Sequence, residues 1–192
     1  MIIDKQDGKI SHMDVGAVVL AAGEGKRFGG NKLLSPFDGE PILKRVLLSL
    51  EGVDRVLVIG RYAEEILKEL KNEVMIYNPK WQEGMSTSIK LGVRFMKDHE
   101  YVLIALGDMP LVTREDVKKI LSMEVKDAVI PTHGGKKGNP VLFRTSSLMK
   151  FLDRISGDEG MRNVLREMET STVECGIGVV KDVDTRDDLS LS

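Results

Sequence analysis

Residues 18–34 read Val18-Val19-Leu20-Ala21-Ala22-Gly23-Glu24-Gly25-Lys26-Arg27-Phe28-Gly29-Gly30-Asn31-Lys32-Leu33-Leu34. An apolar run of strand character ends in a glycine-rich loop carrying three cations, Lys26, Arg27 and Lys32. Glycine lets backbone N–H groups approach a ligand closely and tolerates positive φ. A concave set of such N–H groups binds anions, and the cations add charge where a polyphosphate would lie. Open α/β sheets bind ligands beyond the carboxyl ends of their strands, so this loop is read as a phosphate grip at the end of a first strand. It matches neither common glycine motif. No Gly-x-x-x-x-Gly-Lys-Ser/Thr run occurs, and the third glycine of a dinucleotide fingerprint would come one position late, at Gly29.

Working outward, the chain alternates between two periods. Strands are predicted at Val15–Ala22, Arg55–Ile59, Val74–Tyr77 and Tyr101–Leu106, with shorter ones at Ala128–Pro131 and Val141–Phe143. Helices are predicted at Pro41–Leu50, with Ile42, Val46 and Leu50 on one face, and at Tyr62–Leu70, with the stripe Tyr62, Ile66, Leu67 and Leu70. Further helices fall at Ser86–Met96, from Thr113 as cap through Leu121, at Thr145–Leu152 and at Met161–Met168. Thr172–Glu174 and Ile177–Val180 read as a late strand pair. The early strands are continuous apolar runs without alternation, which argues for a mostly parallel sheet covered on both faces. The fold class is therefore α/β, a three-layer Rossmann-like architecture. The irregular stretch from Thr132 to Pro140 breaks the alternation and is expected to form a small antiparallel flap over the site.

The 192 residues suit one domain, taken as 13–192 after an N-terminal extension over 1–12. Charged residues make up 30% and hydrophobic ones 42%, the balance of a globular chain. A net charge of −2 offers no global attraction for nucleic acid or an anionic membrane. No apolar run is long enough to span a bilayer, and the first residues lack a signal-peptide core. A single cysteine, Cys175, excludes an intramolecular disulfide. These features point to the cytoplasm.

A second chemical element ends the fourth strand: Leu103-Ile104-Ala105-Leu106-Gly107-Asp108-Met109-Pro110. A carboxylate at that end of a parallel sheet points into the same crevice as the first loop. Mg²⁺ takes one or two protein carboxylates and completes its shell with water and phosphate oxygens, a role that suits Asp108. Late in the chain, Lys181-Asp182-Val183-Asp184-Thr185-Arg186-Asp187-Asp188 offers a second metal ligand, Asp184, with Asp182 the alternative. Asp184 or Thr185 also suits the cap of a final helix with Asp187 and Asp188 in its first turn. Ser86, in Gly84-Met85-Ser86-Thr87-Ser88, opens a helix whose free N–H groups could receive a nucleotide, or simply caps it. Trp81 suits stacking on a base as well as packing beneath its loop. His12, His99, His133 and Cys175 carry no evident chemistry.

Taken with Glu83-Gly84-Met85-Ser86-Thr87-Ser88, Gly138-Asn139-Pro140-Val141, Gly157-Asp158-Glu159-Gly160-Met161-Arg162 and Asp182-Val183-Asp184-Thr185, these loops resemble those of the molybdenum cofactor cytidylyltransferases. That family sits within the broader group related to molybdopterin-guanine dinucleotide synthases, and the resemblance runs from about Val15 to Leu189. It implies a GT-A-like nucleotidyltransferase fold, Mg²⁺ as cofactor, a nucleoside triphosphate and a phosphorylated pterin as partners, and room for transient docking to a molybdoenzyme. It implies nucleotide contacts from Leu20, Ala21, Ala22, Gly23, Gly25, Arg27, Lys32, Ser86 and Asp108. Lys32, Arg27 and Asp108 would be catalytic, and Asn139, Pro140 and Arg162 would meet the acceptor. Members using CTP tend to read Leu-Ala-Ala-Gly where those using GTP read Leu-Ala-Gly-Gly, so Ala22 favours CTP. Sugar and methylerythritol phosphate enzymes commonly place Pro before the loop lysine, where this chain has Asn31. GTP with molybdopterin, another small phosphate as acceptor, and a nucleotide-sensing module without transfer stay open as alternatives.

Overall fold

The computed structural model describes residues 14–157 and 160–190. The expected extension over Met1–His12 lies outside them, as do Asp158 and Glu159. In chain order the elements are β1 (Val15–Ala21), β2 (Pro36–Phe37), β3 (Glu40–Pro41), α1 (Ile42–Ser49), β4 (Asp54–Ile59), α2 (Ala63–Glu69), β5 (Met75–Tyr77) and α3 (Met85–Phe95). They continue with β6 (Tyr101–Leu106), α4 (Arg114–Leu121), β7 (Ala128–His133), β8 (Lys136–Lys137), β9 (Val141–Arg144), α5 (Thr145–Phe151), α6 (Gly160–Glu167) and β10 (Thr170–Glu174).

The main sheet runs β10-β7-β9-β6-β1-β4-β5, with β8 appended to β7. β1 lies parallel between β4 and β6. β9 is antiparallel to both its neighbours, β6 and β7. Helices cover both faces, which explains the unbroken apolar strands. Along β1, Val15, Ala17, Val19 and Ala21 join a core with Ile42, Leu43, Val46 and Leu47 of α1 and Val117, Ile120 and Leu121 of α4. Val18 faces the other way, into a core with Ile89 and Val93 of α3, Leu148 of α5 and Val164 of α6. α3 comes so close to β1 that a Cβ on Gly92 would stand 2.3 Å from Val18 Cγ1. The expected three-layer α/β class is the one observed.

Helix signals held where the cap chemistry was local. Thr113 Oγ1 accepts from the Asp116 N–H at 3.1 Å, and the Asp116 carboxylate accepts from the Thr113 N–H at 2.9 Å, closing a capping box on α4. Three expectations change. Ile177–Val180 is a single 3-10 turn rather than a strand, because Gly178 passes so near Leu111 that a Cβ there would meet its carbonyl oxygen at 2.0 Å. β10 therefore pairs with β7 instead. Leu67 points outward, 50% exposed, while Tyr62 sits just before α2 rather than on its stripe. The antiparallel flap exists as the β7–β8 hairpin, with Thr132 opposite Lys137 and His133 opposite Lys136. It does not cover the large cleft, whose walls include no residue between 132 and 140; the segment packs on the 3-10 turn instead, through Asn139 N–H to the Val179 carbonyl at 2.8 Å.

Chain order along the sheet reverses at β1: β4 and β5 lie to one side of it, β6 and everything later to the other. Such a switch point opens a crevice beyond the carboxyl ends of the strands. Leu20 and Leu106 are paired across β1 and β6, and Gly107 N–H donates to the Leu20 carbonyl at 2.9 Å. A side chain at Gly107 would collide with that carbonyl, its Cβ at 2.8 Å. The close approach brings the next residue, Asp108, beside the loop that follows β1.

Candidate active site

A cleft of about 570 Å³ opens at this switch point. The end of β1 and its loop supply Leu20, Ala21, Ala22, Gly23, Gly25, Lys26 and Gly30 through Lys32; Asp108 enters from β6; Trp81, Gln82, Gly84 and Ser88 form the facing wall. The loop is pinned at several points. Phe28 and Gly29 both donate N–H to the Gly25 carbonyl at 3.0 Å, with Gly25 at φ +63° and Gly29 at +76°. Phe28 is buried and roots the loop in the core below. Tyr62 donates its hydroxyl to the Glu24 carbonyl at 3.2 Å. A Cβ on Gly60 would lie 2.7 Å from both the Ala22 carbonyl and Trp81 Cβ, so Gly60, just past β4, is closely flanked by the residue after β1 on one side and Trp81 on the other.

Lys32 and Asp108 meet in the cleft, Nζ to Oδ2 at 2.8 Å, with side chains only 14% and 23% exposed. The ammonium also donates to the Val183 carbonyl at 2.7 Å. Val183 N–H in turn donates to the Asp108 carbonyl at 2.8 Å. Burial holds the Asp108 carboxyl above the usual carboxylate range; Lys32 opposes that rise, and the charge of Asp182 adds to it. Further out, Arg27 and Asp184 pair at 2.5 Å, and Arg186 lies over the Phe28 ring with its guanidinium carbon 5.1 Å from the centroid. The segment 182–188 is thus a strap across the back of the glycine loop. The expected cap is reversed: Asp188 accepts from the N–H groups of Asp184 and Thr185 and from the Thr185 hydroxyl, which holds its carboxyl below the usual range.

Of the residues singled out in sequence, Leu20, Ala21, Ala22, Gly23, Gly25, Lys32 and Asp108 line the cleft together. Arg27 is exposed and outside its walls, held by Asp184. Ser86 is buried away from the cleft, its N–H given to the Gly157 carbonyl at 3.1 Å; Ser88, two residues on, lines it instead. Asn78 fixes that wall by donating to Thr87 Oγ1 at 2.8 Å and Ser88 Oγ at 2.9 Å. Asn139, Pro140, Arg162 and Asp184 do not line the cleft. Sequence reasoning missed Tyr62, Gln82 and Asn31 as wall residues; for Tyr62 the only signal was its place just past a strand end. Among the described residues no three His, Cys, Asp or Glu side chains cluster as a metal cage, so any metal here must rely on one or two carboxylates and its other ligands.

The cleft's setting agrees with what the chain is similar to. Residues 17–173 match the family described as the MobA-like NTP transferase domain. The molybdenum cofactor cytidylyltransferase of Escherichia coli (strain K12) is 29% identical over 181 residues, covering 91% of this chain and 93% of that protein. A nucleotidyl transferase from Methanothermobacter thermautotroptrophicus superposes with a TM-score of 0.80 at 23% identity, covering 92% of this chain and 94% of that one. Molybdopterin-guanine dinucleotide biosynthesis protein A of Archaeoglobus fulgidus superposes with a TM-score of 0.70 at 20% identity, covering 92% and 95%. With a phosphate-type loop and a strand-end carboxylate facing one cleft, and a family match over most of its length, the chain belongs to the MobA-like NTP transferase family and is a nucleotidyltransferase.

Proposed function

We propose that this enzyme transfers CMP from CTP to the terminal phosphate of molybdopterin and releases pyrophosphate. The observation that carries the reading is the Lys32–Asp108 pair at 2.8 Å inside a cleft floored by Leu20 to Gly25. Support for the acceptor comes from the relative named as a molybdenum cofactor cytidylyltransferase, and for the base from Ala22. A methyl group at that position narrows the space beside the nucleobase, a difference of about 1–3 kcal/mol in discrimination.

In the reaction a phosphate oxygen of the acceptor attacks the α-phosphorus of CTP. A new P–O bond forms, the α–β anhydride bond breaks, and its electrons leave with pyrophosphate. The nucleophile is already an anion, so no side chain has to take a proton from it. What the site must supply is alignment and relief of negative charge. Backbone N–H groups of Gly23 to Gly25 cradle the triphosphate. Lys32 neutralises phosphoryl oxygens from within the cleft, and Arg27, now outside its walls and paired with Asp184, would add a second cation only on leaving that pair. Ser88 and Trp81 bound the space for the nucleoside.

Magnesium fits the donor set. Asp108 is a buried carboxylate whose ionised form is disfavoured by burial, and a neighbouring cation relieves that cost. Asp108 would hold the ion from within the cleft; Asp184, outside its walls and paired with Arg27, would have to leave that pair to join it, and Asp182, whose charge already reaches Asp108, is the alternative second ligand. When bound, it withdraws charge from the phosphate oxygens.

The test is pyrophosphate release with Mg²⁺ and molybdopterin, CTP and GTP supplied separately and other small phosphates as control acceptors. Asp108→Ala is expected to lose activity about a hundredfold or more while keeping the wild-type circular dichroism spectrum. Near wild-type release by that variant refutes the assignment of Asp108, and release favouring another acceptor refutes molybdopterin.

A further inference from the structure

Asn31 stands immediately before Lys32 and borders the cleft. Its side-chain Oδ1 and Nδ2 are both shut off from solvent, and neither has a hydrogen-bond partner among the described residues. Buried polar groups in folded proteins are nearly always satisfied, so an amide with both ends unmet calls for a reason. The usual structural reason does not apply. Asn31 precedes the 3-10 turn Lys32–Leu34, where an asparagine side chain would cap free N–H groups, yet it makes no side-chain cap bond. Only its backbone is engaged, the carbonyl accepting from the Ser35 hydroxyl at 3.3 Å.

The surroundings say what the amide could meet. The outgoing arm of the glycine loop rests on the returning arm that carries Asn31: a Cβ on Gly25 would stand 2.9 Å from the Gly30 carbonyl and 3.8 Å from Lys32 Cγ. Asn31 thus borders the same cleft as Lys32 and Gly23 to Gly25, in a loop whose chemistry favours anions. A carboxamide offers two N–H donors and one acceptor, which suits one donation to a phosphate oxygen and one acceptance from a loop N–H. Gly25, Gly29 and Gly30 all lie at positive φ, where few other residues are comfortable; contact between the amide and a ligand would require this arm to shift and uncover it.

We propose that Asn31 is a further substrate-contacting residue, its Nδ2 donating to a phosphate oxygen of the bound nucleoside triphosphate alongside Lys32. The inference rests on the nucleotide reading given above. It accounts for an unsatisfied amide in the free protein as a group held ready for its ligand.

Titration calorimetry with CTP and MgCl₂ tests it, on wild type, Asn31→Leu and Asn31→Asp, with thermal unfolding of each protein without nucleotide. The Leu variant is expected to bind about 10–100-fold more weakly, the range for losing a hydrogen bond to a charged group. Its unfolding midpoint without nucleotide should stay level or rise, since an unmet buried amide is replaced by an apolar side chain of similar size. The Asp variant keeps the shape but turns a carboxylate on the phosphates, so it should bind more weakly still. Affinity within twofold of wild type in either folded variant overturns the inference. So does a loss of affinity matched in both variants by a lower midpoint, which marks the amide as scaffold. Binding by none of the proteins removes the parent reading and this one with it, whereas wild-type binding left intact in the variants removes this one alone.

Discussion

Replacing Lys32 with Met isolates the interaction at the centre of the cleft. The methionine keeps most of the stem but removes the ammonium that lies 2.8 Å from Asp108 and 2.7 Å from the Val183 carbonyl. At that separation, through an effective dielectric of about 20, the gross attraction is about 6 kcal/mol. Desolvation of both ions offsets much of it, and breaking a buried pair typically costs about 3–5 kcal/mol. Because the two side chains are 14% and 23% exposed, water screens part of this, and about 2–4 kcal/mol is expected at neutral pH. The sign with pH follows from Asp108. Burial already raises its folded-state value, and loss of the lysine raises it further, so the folded variant holds a proton that the unfolded chain has released. Its stability therefore falls as pH climbs from the ordinary Asp value near 3.9 through the folded value, and recovers as pH drops back through that window. Urea unfolding at pH 7.5 and pH 5 of wild type, Lys32→Met, Asp108→Asn and the double variant measures this. The Lys32→Met deficit should shrink at pH 5, and adding Asp108→Asn should restore most of it at pH 7.5. A deficit that is independent of pH, or a coupling below about 0.5 kcal/mol, the usual limit of additivity, refutes the reasoning.

Ala22→Gly should move the CTP-to-GTP ratio of kcat/KM toward GTP by about 5- to 150-fold; parallel kinetics with the two nucleotides checks it, and an unchanged ratio removes Ala22 from base selection. Gly178→Ala forces a Cβ to within 2.0 Å of the Leu111 carbonyl, so it should cost about 3 kcal/mol or more, read as a lowered denaturation midpoint. Thr113→Ala opens the capping box of α4 and should cost about 1 kcal/mol without altering nucleotide affinity, measured by urea unfolding and calorimetry together.

Much of the architecture was legible because it is encoded in local pattern. β1 and β6 are continuous apolar runs, and the two cores show why: alternate residues of β1 serve opposite faces. Thr113 announced its helix because its partner, Asp116, is three residues away. The cleft itself was half legible. Gly23, Gly25, Lys32 and Asp108 declare themselves by residue type at strand ends, and the sheet register brings them together. Ser86 was read for Ser88 because both follow the same glycine and only the helix phase separates them. Asn31 stood out only as a position lacking proline, since an unmet amide is a property of its surroundings and leaves no trace in composition. The strap was the least legible part. Val183 and Asp184 reach Lys32 and Arg27 across 151 and 157 residues of chain, and no periodicity links segments that far apart.

That separation has a consequence for biosynthesis. The carbonyl and carboxylate that fix Lys32 and Arg27 are translated 151 and 157 residues after the cations themselves. At roughly 5–20 residues per second, roughly 8–30 s pass between the two. During that interval Lys32 and Arg27 have neither Val183 nor Asp184 to hold them, so the glycine loop of a growing chain is still unanchored at the back. Both cations are thus fixed in place only once residues 183 and 184 have been made.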